Sequence, residues 1–449
     1  METSVWTPDS WRRLPIAQQP DWDDPSELDA VEKELGSYAP LVYPSEIREL
    51  QSQLAKAAKG QAFVLQAGDC AESFNDFSAD VVRNKLRVIL QMAVVLTYSS
   101  GVPVIKVGRI AGQFAKPRSS PMEKINGQLL PVFRGHIVND DEASIDARRP
   151  DPKRLLRAYH QSSATLNLLR SLTRGGFSDL SRVHTWNQEF VASSAEGQAY
   201  DAVATEIERA LKFMAACGID LEREETLRKV DFWTSHEALL LGYESAMTRY
   251  DRTSKTYLDL SSHTIWIGER TRELNHAHME FFSGISNPIG CKIGPSATPK
   301  EVIEICEKLN PMRIPGRLSL VSRMGSEKVQ SVLPKLISAV QQANHPVIWS
   351  CDPMHGNTFV SENGFKTRNL EQVIDEVRGF FLVHRSLGTW PGGLHVELTG
   401  EDVTECLGGS ATVNEEDLDT AYNTICDPRL NARQSLDLAY RVAEMLIGD

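Results

Sequence analysis

Eight short β-prone runs, each closed by a polar or glycine-containing turn, constrain this chain more than any other feature. They begin at Phe63 (FVLQAGDC), Pro103 (PVIKVGR), Val230 (VDFWTSHE), Thr264 (TIWIGER), Gly290 (GCKIGP), Leu318 (LSLVSRMG), Pro346 (PVIWSCDPMHG) and Gly393 (GLHVELTG). Helical patterns lie between most of them. Val82, Leu86, Ile89, Ala93 and Leu96 follow the N-cap candidate Ser78 at a 4-3-4-3 spacing that puts one apolar stripe on a helix. Thr298-Pro299-Lys300-Glu301 predicts another start, because Thr-x-x-Glu forms a capping box and proline suits the first helical position. Alternating strands and helices leave two architectures, an open doubly wound sheet or a closed (β/α)8 barrel. The count of eight, with no GxGxxG fingerprint after the first run, favours the barrel.

A barrel of this kind needs about 250 residues, and the chain has 449. From the third run onward the starts are 34, 26, 28, 28 and 47 residues apart, close to one β/α unit each, whereas Pro103 and Val230 are separated by 127. A strand-to-strand unit takes only about 30 residues. An insertion over about 150–217 follows. It holds a helix opening at Asp151-Pro152, carrying Leu155, Leu156, Tyr159, Leu166 and Leu169 and stopped by Gly175-Gly176, and a second helical pattern over about Tyr200 to Cys217. Residues 1 to about 60 form an N-terminal extension. The expectation is a single catalytic domain over 1–449 with these two accessory elements.

Charge narrows the partners. The 60 acidic residues outnumber the 48 basic ones, for a formal net charge of −12, which argues against nucleic acid and anionic membrane surfaces. No apolar run approaches the roughly 18 residues of a membrane span; the longest, Val88 to Leu96, is interrupted by Gln91. The stretch Met1 to Pro20 fits neither a signal nor a transit peptide, so a cytoplasmic location is expected. Seven cysteines without CxxC pairs suit a reducing compartment, most of them as small buried apolar residues.

In a barrel the chemistry sits where strands end. Those ends supply Asp69-Cys70, Arg109 with Lys116 and Arg118 beyond it, Glu269-Arg270, Lys292, Arg323, Asp352 and His355, and Glu397, with Asp427 in a later loop. Taken singly, each basic residue reads as solvated surface. Six converging in an acidic protein instead suit an anionic, phosphate-bearing substrate. Cys70, His355, Glu397 and Asp427 offer a thiolate, an imidazole and two carboxylates to a divalent transition metal, scattered as in an open catalytic site rather than paired as in a structural one. His395 competes as a ligand, since it shares a strand face with Glu397. His276 and His278 lie two apart on a predicted helix and read as structural. Trp266 fits a core position or a pocket wall. No nucleophile elbow, P-loop, HExxH or EF-hand pattern supports a hydrolase, nucleotidase or calcium protein.

The ordered motifs GDCAESF (68–74), KVGRIAGQFAKPRS (106–119), WIGERTR (266–272), KIGP (292–295), LVSRMG (320–325), CDPMHGNT (351–358), GGLHVELTGE (392–401), TECLGG (404–409) and CDPRLN (426–431) resemble those of the type II, plant-like 3-deoxy-D-arabino-heptulosonate 7-phosphate (DAHP) synthases. The likeness runs from WTPDSWRRLPIAQQP at 6–20 to the final RVAEMLIGD. It implies a (β/α)8 barrel that condenses phosphoenolpyruvate with erythrose 4-phosphate and releases phosphate. Manganese or cobalt is the implied metal, with zinc or cadmium as alternatives. By motif, the metal would be held by Cys70, His355, Glu397 and Asp427, which demotes His395. Arg109, Glu269, Arg270, Lys292 and Arg323 would contact phosphoenolpyruvate; Lys116, Arg118 and Ser119 would take the phosphate of the second substrate. Lys292 and Glu269 are the candidates for moving protons, as donor and as carboxylate. The resemblance further implies a homo-oligomer, dimer or tetramer, inhibited by aromatic amino acids. Cys426 adjoins Asp427, and a redox disulfide with Cys70 is an added expectation.

Overall fold

The computed structural model describes residues 5–125, 127–175, 177, 180–193, 201–218, 230–410 and 412–447. Its centre is a closed parallel barrel of β1 (Phe63–Gly68), β2 (Val104–Arg109), β3 (Phe232–Glu237), β4 (Thr264–Ile267), β5 (Ile289–Ile293), β6 (Leu318–Ser322), β7 (Ile348–Cys351) and β8 (Gly393–Glu397). Each strand pairs with the next, and β8 closes onto β1 with Val64 opposite Gly393 and Gly68 opposite Glu397. All eight β-prone runs of the sequence supply these strands, with starts shifted by two residues at most.

Period-two alternation gives most strands an apolar outer face, with Lys106 on β2 and Thr234 and His236 on β3 as polar exceptions, and an inner face that changes character along the barrel axis. Outward, Phe63, Leu65 and Ala67 join Val88, Ile89, Met92 and Leu96 of the Ala79–Ser100 helix in the main apolar cluster. That helix begins as its sequence predicts, with Ser78 Oγ accepting from Val81 N at 3.2 Å. The Pro299–Leu309 helix likewise carries the Thr298/Glu301 capping box. Inside the barrel, the N-terminal end is apolar. Val64, Ile105, Trp233 and Ile348 pack against Leu50, Leu54 and Ala57 of the Pro44–Ala57 helix, so the N-terminal extension plugs the bottom of the barrel. Gln53 Oε1 accepts the Trp233 indole N–H at 3.2 Å and fixes the plug.

Above the plug lies a polar layer. Gln66 spans it, donating to Ser235 Oγ at 2.9 Å and meeting His395 Nδ1 at 2.8 Å. The rim above this layer holds the charged residues. Gly68, at φ 145°, is required where β1 leaves the barrel: a Cβ there would lie 2.6 Å from the Arg109 carbonyl oxygen.

The insertion divides in two. Its first helix, Lys153–Arg174, buries Leu155, Tyr159, Leu166 and Leu169. It is tied to the extension by Tyr159 Oη donating to the Ala39 carbonyl at 2.8 Å and by Arg170 on Glu46 at 3.1 Å. The second part, Leu180–Ser193 and Asp201–Ala216, stands beside the Ala79–Ser100 helix, where Asn187 donates to the Gln91 carbonyl and Arg87 lies over the Trp186 ring. Gly176 and Tyr200, the helix stop and start read from the sequence, lie outside the described residues, as do Gly448 and Asp449 of the closing motif. Among the described residues, three two-stranded hairpins, beginning at Met122, Thr248 and Thr358, decorate the barrel. Among the described residues, no helix is long and apolar enough to cross a membrane.

Candidate active site

The turn after β1 is built on Asp69. Its buried carboxylate pairs with Lys85 and, at 2.9 Å, with Arg429; burial pushes its pKa up, but the two cations outweigh that and hold it below the usual range. This fixes Cys70, which is buried with its Sγ directed at the barrel mouth loops: Lys116 Nζ lies 2.9 Å from it and the Asp427 backbone N–H donates to it at 3.2 Å. The loop after β2 is gathered by Glu72, whose carboxylate accepts the backbone N–H groups of Ala111, Gly112 and Gln113 at 2.9–3.1 Å. Three amides on one carboxylate set the turn that delivers Lys116.

Arg109 ends β2 with almost no exposure. It donates to the Asp69 carbonyl and to Glu397 Oε1, both at 2.9 Å, and reaches His395 at 2.5 Å. His395 is thus engaged at both ring nitrogens, by Gln66 and Arg109, with the Trp266 ring edge-on at 5.0 Å. It braces Arg109 rather than joining the candidate ligands.

Asp352, past the end of β7, is fully buried. Its Oδ1 accepts the backbone N–H groups of Met354 and His355, and its Oδ2 meets His355 Nδ1 at 2.8 Å and Lys292 Nζ. Burial raises its pKa, yet His355 and Lys292 outweigh burial and keep it well below the ordinary value. A carboxylate on Nδ1 makes that nitrogen the donor and turns the Nε2 lone pair outward. There Nε2 lies 3.2 Å from Glu397 Oε1 and 3.8 Å from Asp427 Oδ2. The ligating atoms of Cys70, Glu397 and Asp427 all lie within 4.8 Å of one another. Lys116 Nζ stands among them, 2.5 Å from Asp427 Oδ2 and 3.5 Å from Glu397 Oε1. One sulfur, one imidazole nitrogen and two carboxylates converging on a positive charge fit a divalent transition metal.

Lys116, His355 and Asp427 open onto a cavity of about 180 Å³, also lined by Arg118, Ser119, Glu237, Trp266, Glu269, Arg270, Arg323 and Lys366. Arg323 donates to the His355 carbonyl at 3.1 Å, and Arg118 is held by Glu123 at 2.9 Å. Glu269 accepts from Arg272 at 2.9 Å. Burial lowers the Lys292 pKa to about 8 although Asp352 opposes the shift. The cavity therefore combines a cation-seeking ligand set with a wall of guanidinium and ammonium groups, an arrangement suited to a polyanionic substrate and Lewis-acid chemistry.

The Class-II DAHP synthetase family matches residues 6–443. The chain belongs to the class-II DAHP synthetase family. It is 54% identical over 444 residues, covering 99% of this chain and 98% of the relative, to the phospho-2-dehydro-3-deoxyheptonate aldolase of Streptomyces coelicolor (strain ATCC BAA-471 / A3(2) / M145). It is 50% identical over 443 residues, covering 98% and 94%, to the phospho-2-dehydro-3-deoxyheptonate aldolase AroG of Mycolicibacterium smegmatis (strain ATCC 700084 / mc(2)155). A solved phospho-2-dehydro-3-deoxyheptonate aldolase from Francisella tularensis SCHU S4 is 14% identical, with a TM-score of 0.45 and coverage of 96% and 98%.

For this DAHP synthetase family member, every site residue named from the sequence lines or adjoins one cavity. Lys116 lies deeper than expected, among the candidate metal ligands, while Arg118 and Ser119 stay near the mouth. The sequence reading named no residue on the third strand and so missed Glu237, although it closes the run VDFWTSHE. It also missed Lys366 and Arg368. Lys366 pairs with Asp427, and Arg368 lies 2.8 Å from Glu397 Oε2. Both sit on the Thr358–Arg368 hairpin, whose three-residue strands leave no readable period.

Proposed function

We propose that this chain is a 3-deoxy-7-phosphoheptulonate synthase, condensing phosphoenolpyruvate and erythrose 4-phosphate to DAHP and phosphate. The supporting observation is the joining of Cys70, His355, Glu397 and Asp427 with seven basic side chains around one cavity. Relatives matched over nearly their full length bear the aldolase name for this product. Such an activity places the chain at the first step of aromatic amino-acid and chorismate synthesis.

A divalent metal, manganese or cobalt before zinc or cadmium, supplies Lewis acidity toward the aldehyde oxygen of erythrose 4-phosphate when held by those four residues. Arg109, Arg270, Lys292 and Arg323 bind and orient the phosphate and carboxylate of phosphoenolpyruvate, with Glu269 beside them. Lys116, Arg118 and Ser119 take the phosphate of the sugar, and Lys366 adds charge there. Lys292 is suited to return a proton to the departing phosphate, since burial brings its pKa to about 8. The fold is read as a single catalytic domain over 1–449, working in the cytoplasm as a homo-oligomer, dimer or tetramer, and inhibited by one or more aromatic amino acids.

A phosphate-release assay with each substrate alone and both together, with and without a chelator, tests the reading. Release is expected only with both substrates and metal. Release without the sugar phosphate indicates a phosphatase instead. An undiminished rate after Lys116→Ala and Arg118→Ala indicates a pyruvate aldolase that does not need the second phosphate site.

A further inference from the structure

A fully buried carboxylate stands outside the cavity, on one of the barrel helices. Glu376, on the Leu370–Ser386 helix, has no exposed surface, and no cation is paired with it among the described residues. It shares a helix face with Val373 and Phe380, three residues before it and four after, both of them in the main apolar cluster. That pattern by itself calls for an aliphatic side chain. Burial raises the Glu376 pKa to about 8, although hydrogen bonds from Met324, Gly325 and Asn357 oppose the shift. A carboxyl group buried at such a cost is explained by what it holds.

It holds two loops. Glu376 Oε1 accepts the backbone N–H of Met324 and Oε2 accepts from Asn357 Nδ2, both at 2.7 Å. Met324 follows Arg323 at the end of β6, and Asn357 lies two residues past His355 in the loop after β7. Asn357 completes the tie: its Oδ1 accepts the Ser326 N–H at 3.0 Å, and its Nδ2 also donates to the Pro353 carbonyl at 2.7 Å. Gly325, at φ 84°, packs so closely on Gly356 that a Cβ on Gly356 would overlap the Gly325 nitrogen. Arg323 itself donates to the His355 carbonyl at 3.1 Å. The two loops therefore form one body, which carries a candidate phosphoenolpyruvate contact, Arg323, and a candidate metal ligand, His355.

We propose that Glu376 is a positioning residue that makes the binding of phosphoenolpyruvate and of the divalent metal cooperative. This rests on the synthase reading above, which supplies phosphoenolpyruvate as the ligand of Arg323. Glu376 touches neither ligand. The first of the two to bind fixes the joined loops and meets the ordering cost for both, so the second binds to loops already in place. Coupling of this kind is reciprocal, and each ligand tightens the other by the same factor. Taking away an acceptor beneath one loop frees it from the other. Glu376→Gln does so, because a side-chain amide has one oxygen where Met324 and Asn357 each need an acceptor.

The experiment titrates the full chain with Mn2+ by calorimetry, with and without phosphoenolpyruvate, and reads the ratio of the two affinities. The parent is expected to bind Mn2+ about 5–150-fold more tightly when phosphoenolpyruvate is present, and that ratio is expected to fall about fivefold or more in Glu376→Gln. Asn357→Ala cuts the same tie from the other loop and should give the same fall, so it carries the test if Glu376→Gln does not fold; the double variant should fall no further than either alone. Leu50→Ala, in the barrel plug, loses stability but should keep the ratio of the parent. With Mn2+ saturating, the KM for phosphoenolpyruvate should rise in Glu376→Gln while that for erythrose 4-phosphate stays within about twofold. A ratio near one in the parent overturns the proposal, as does a Glu376→Gln ratio within about twofold of the parent's. So does an equal fall in Leu50→Ala, or an equal rise in both KM values, since either makes Glu376 a stabilising residue only. Parent protein that binds both ligands cooperatively yet makes no product from the two substrates refutes the synthase reading, a result separable from these.

Discussion

Asp352 shares its two oxygens among four donors, and through them it sets both the ring orientation of His355 and the position of Lys292. Replacing it with asparagine keeps the shape but removes the charge, so Asp352→Asn is expected to weaken metal binding about 10–100-fold, measured by calorimetric titration with Mn2+. An unchanged affinity would confine Asp352 to holding Lys292. Cys70 gives a second residue-level expectation. Burial pushes its thiol pKa well up, while the hydrogen bond with Cys426 lowers that of Cys426. Diamide is expected to join the two, remove a metal ligand and abolish activity; peptide mapping that finds Cys70 unpaired in the inactive sample refutes this. His384 concerns stability. It is fully buried, with Nδ1 2.8 Å from Thr389 Oγ1, and burial lowers its pKa to about 3. Below about 6.5 the unfolded chain protonates this histidine while the folded chain does not, so stability is full above that pH and falls by about 1.4 kcal/mol per unit beneath it. Denaturation of the parent and His384→Leu at pH 7 and pH 5 is expected to show about 2 kcal/mol less acid-induced loss in the variant. The ligand candidates were legible in the sequence because each closes a strand or a distinctive motif. Glu237 closes a strand too, but like Lys366 it stands in none of the distinctive motifs, and its surroundings are set by the neighbours the barrel brings to it: an unpaired oxygen over Gly268 for the one, an ammonium on Asp427 for the other.

At the scale of elements, the strands were readable since parallel strands covered on both faces are short apolar runs, each punctuated by its turn. The capping box at Thr298 and the N-cap at Ser78 fixed two helix starts by local chemistry alone. The three hairpins were not readable, having strands of only three or four residues. Nor was the role of the Pro44–Ala57 helix. Its apolar stripe shows a buried face, yet only the closed barrel reveals that the face is a plug meeting Val64, Ile105, Trp233 and Ile348. A plug of this kind holds the bottom of the strands whose tops carry Arg109, Glu237 and Asp352. Leu50 has no exposed surface within that cluster. Leu50→Ala is accordingly expected to cost about 2–5 kcal/mol, through lost burial and the cavity left behind. Chemical denaturation checks this, and a loss below about 1 kcal/mol would show that the helix only covers the barrel.

Over the whole molecule, the extension, the insertion and the loops of the site share one apolar cluster. Val31, Leu35 and Ile47 meet Leu155, Tyr159 and Leu166, and the same cluster takes in Phe74 and Phe114, which follow Cys70 and precede Lys116 on their loops. A ligand that shifts the extension or the Lys153–Arg174 helix would therefore reach the site through packed side chains. It must bind two states of the enzyme unequally to change the rate, so affinity alone proves nothing. Deleting about 150–185 is a poor probe of this coupling, because it would remove the buried Leu155, Tyr159, Leu166 and Leu169 and with them part of the core. The intact chain is the better subject. Rate titrations with tryptophan, phenylalanine and tyrosine, singly and in pairs, are expected to show inhibition by at least one, in a protein that sediments as a dimer or tetramer. Because the reaction is read from the cavity and the regulation from the accessory elements, the two can fail separately. Equal rates in every combination at saturating amino acid would remove the regulatory reading, and a monomer fully active at assay concentration would remove the oligomeric one.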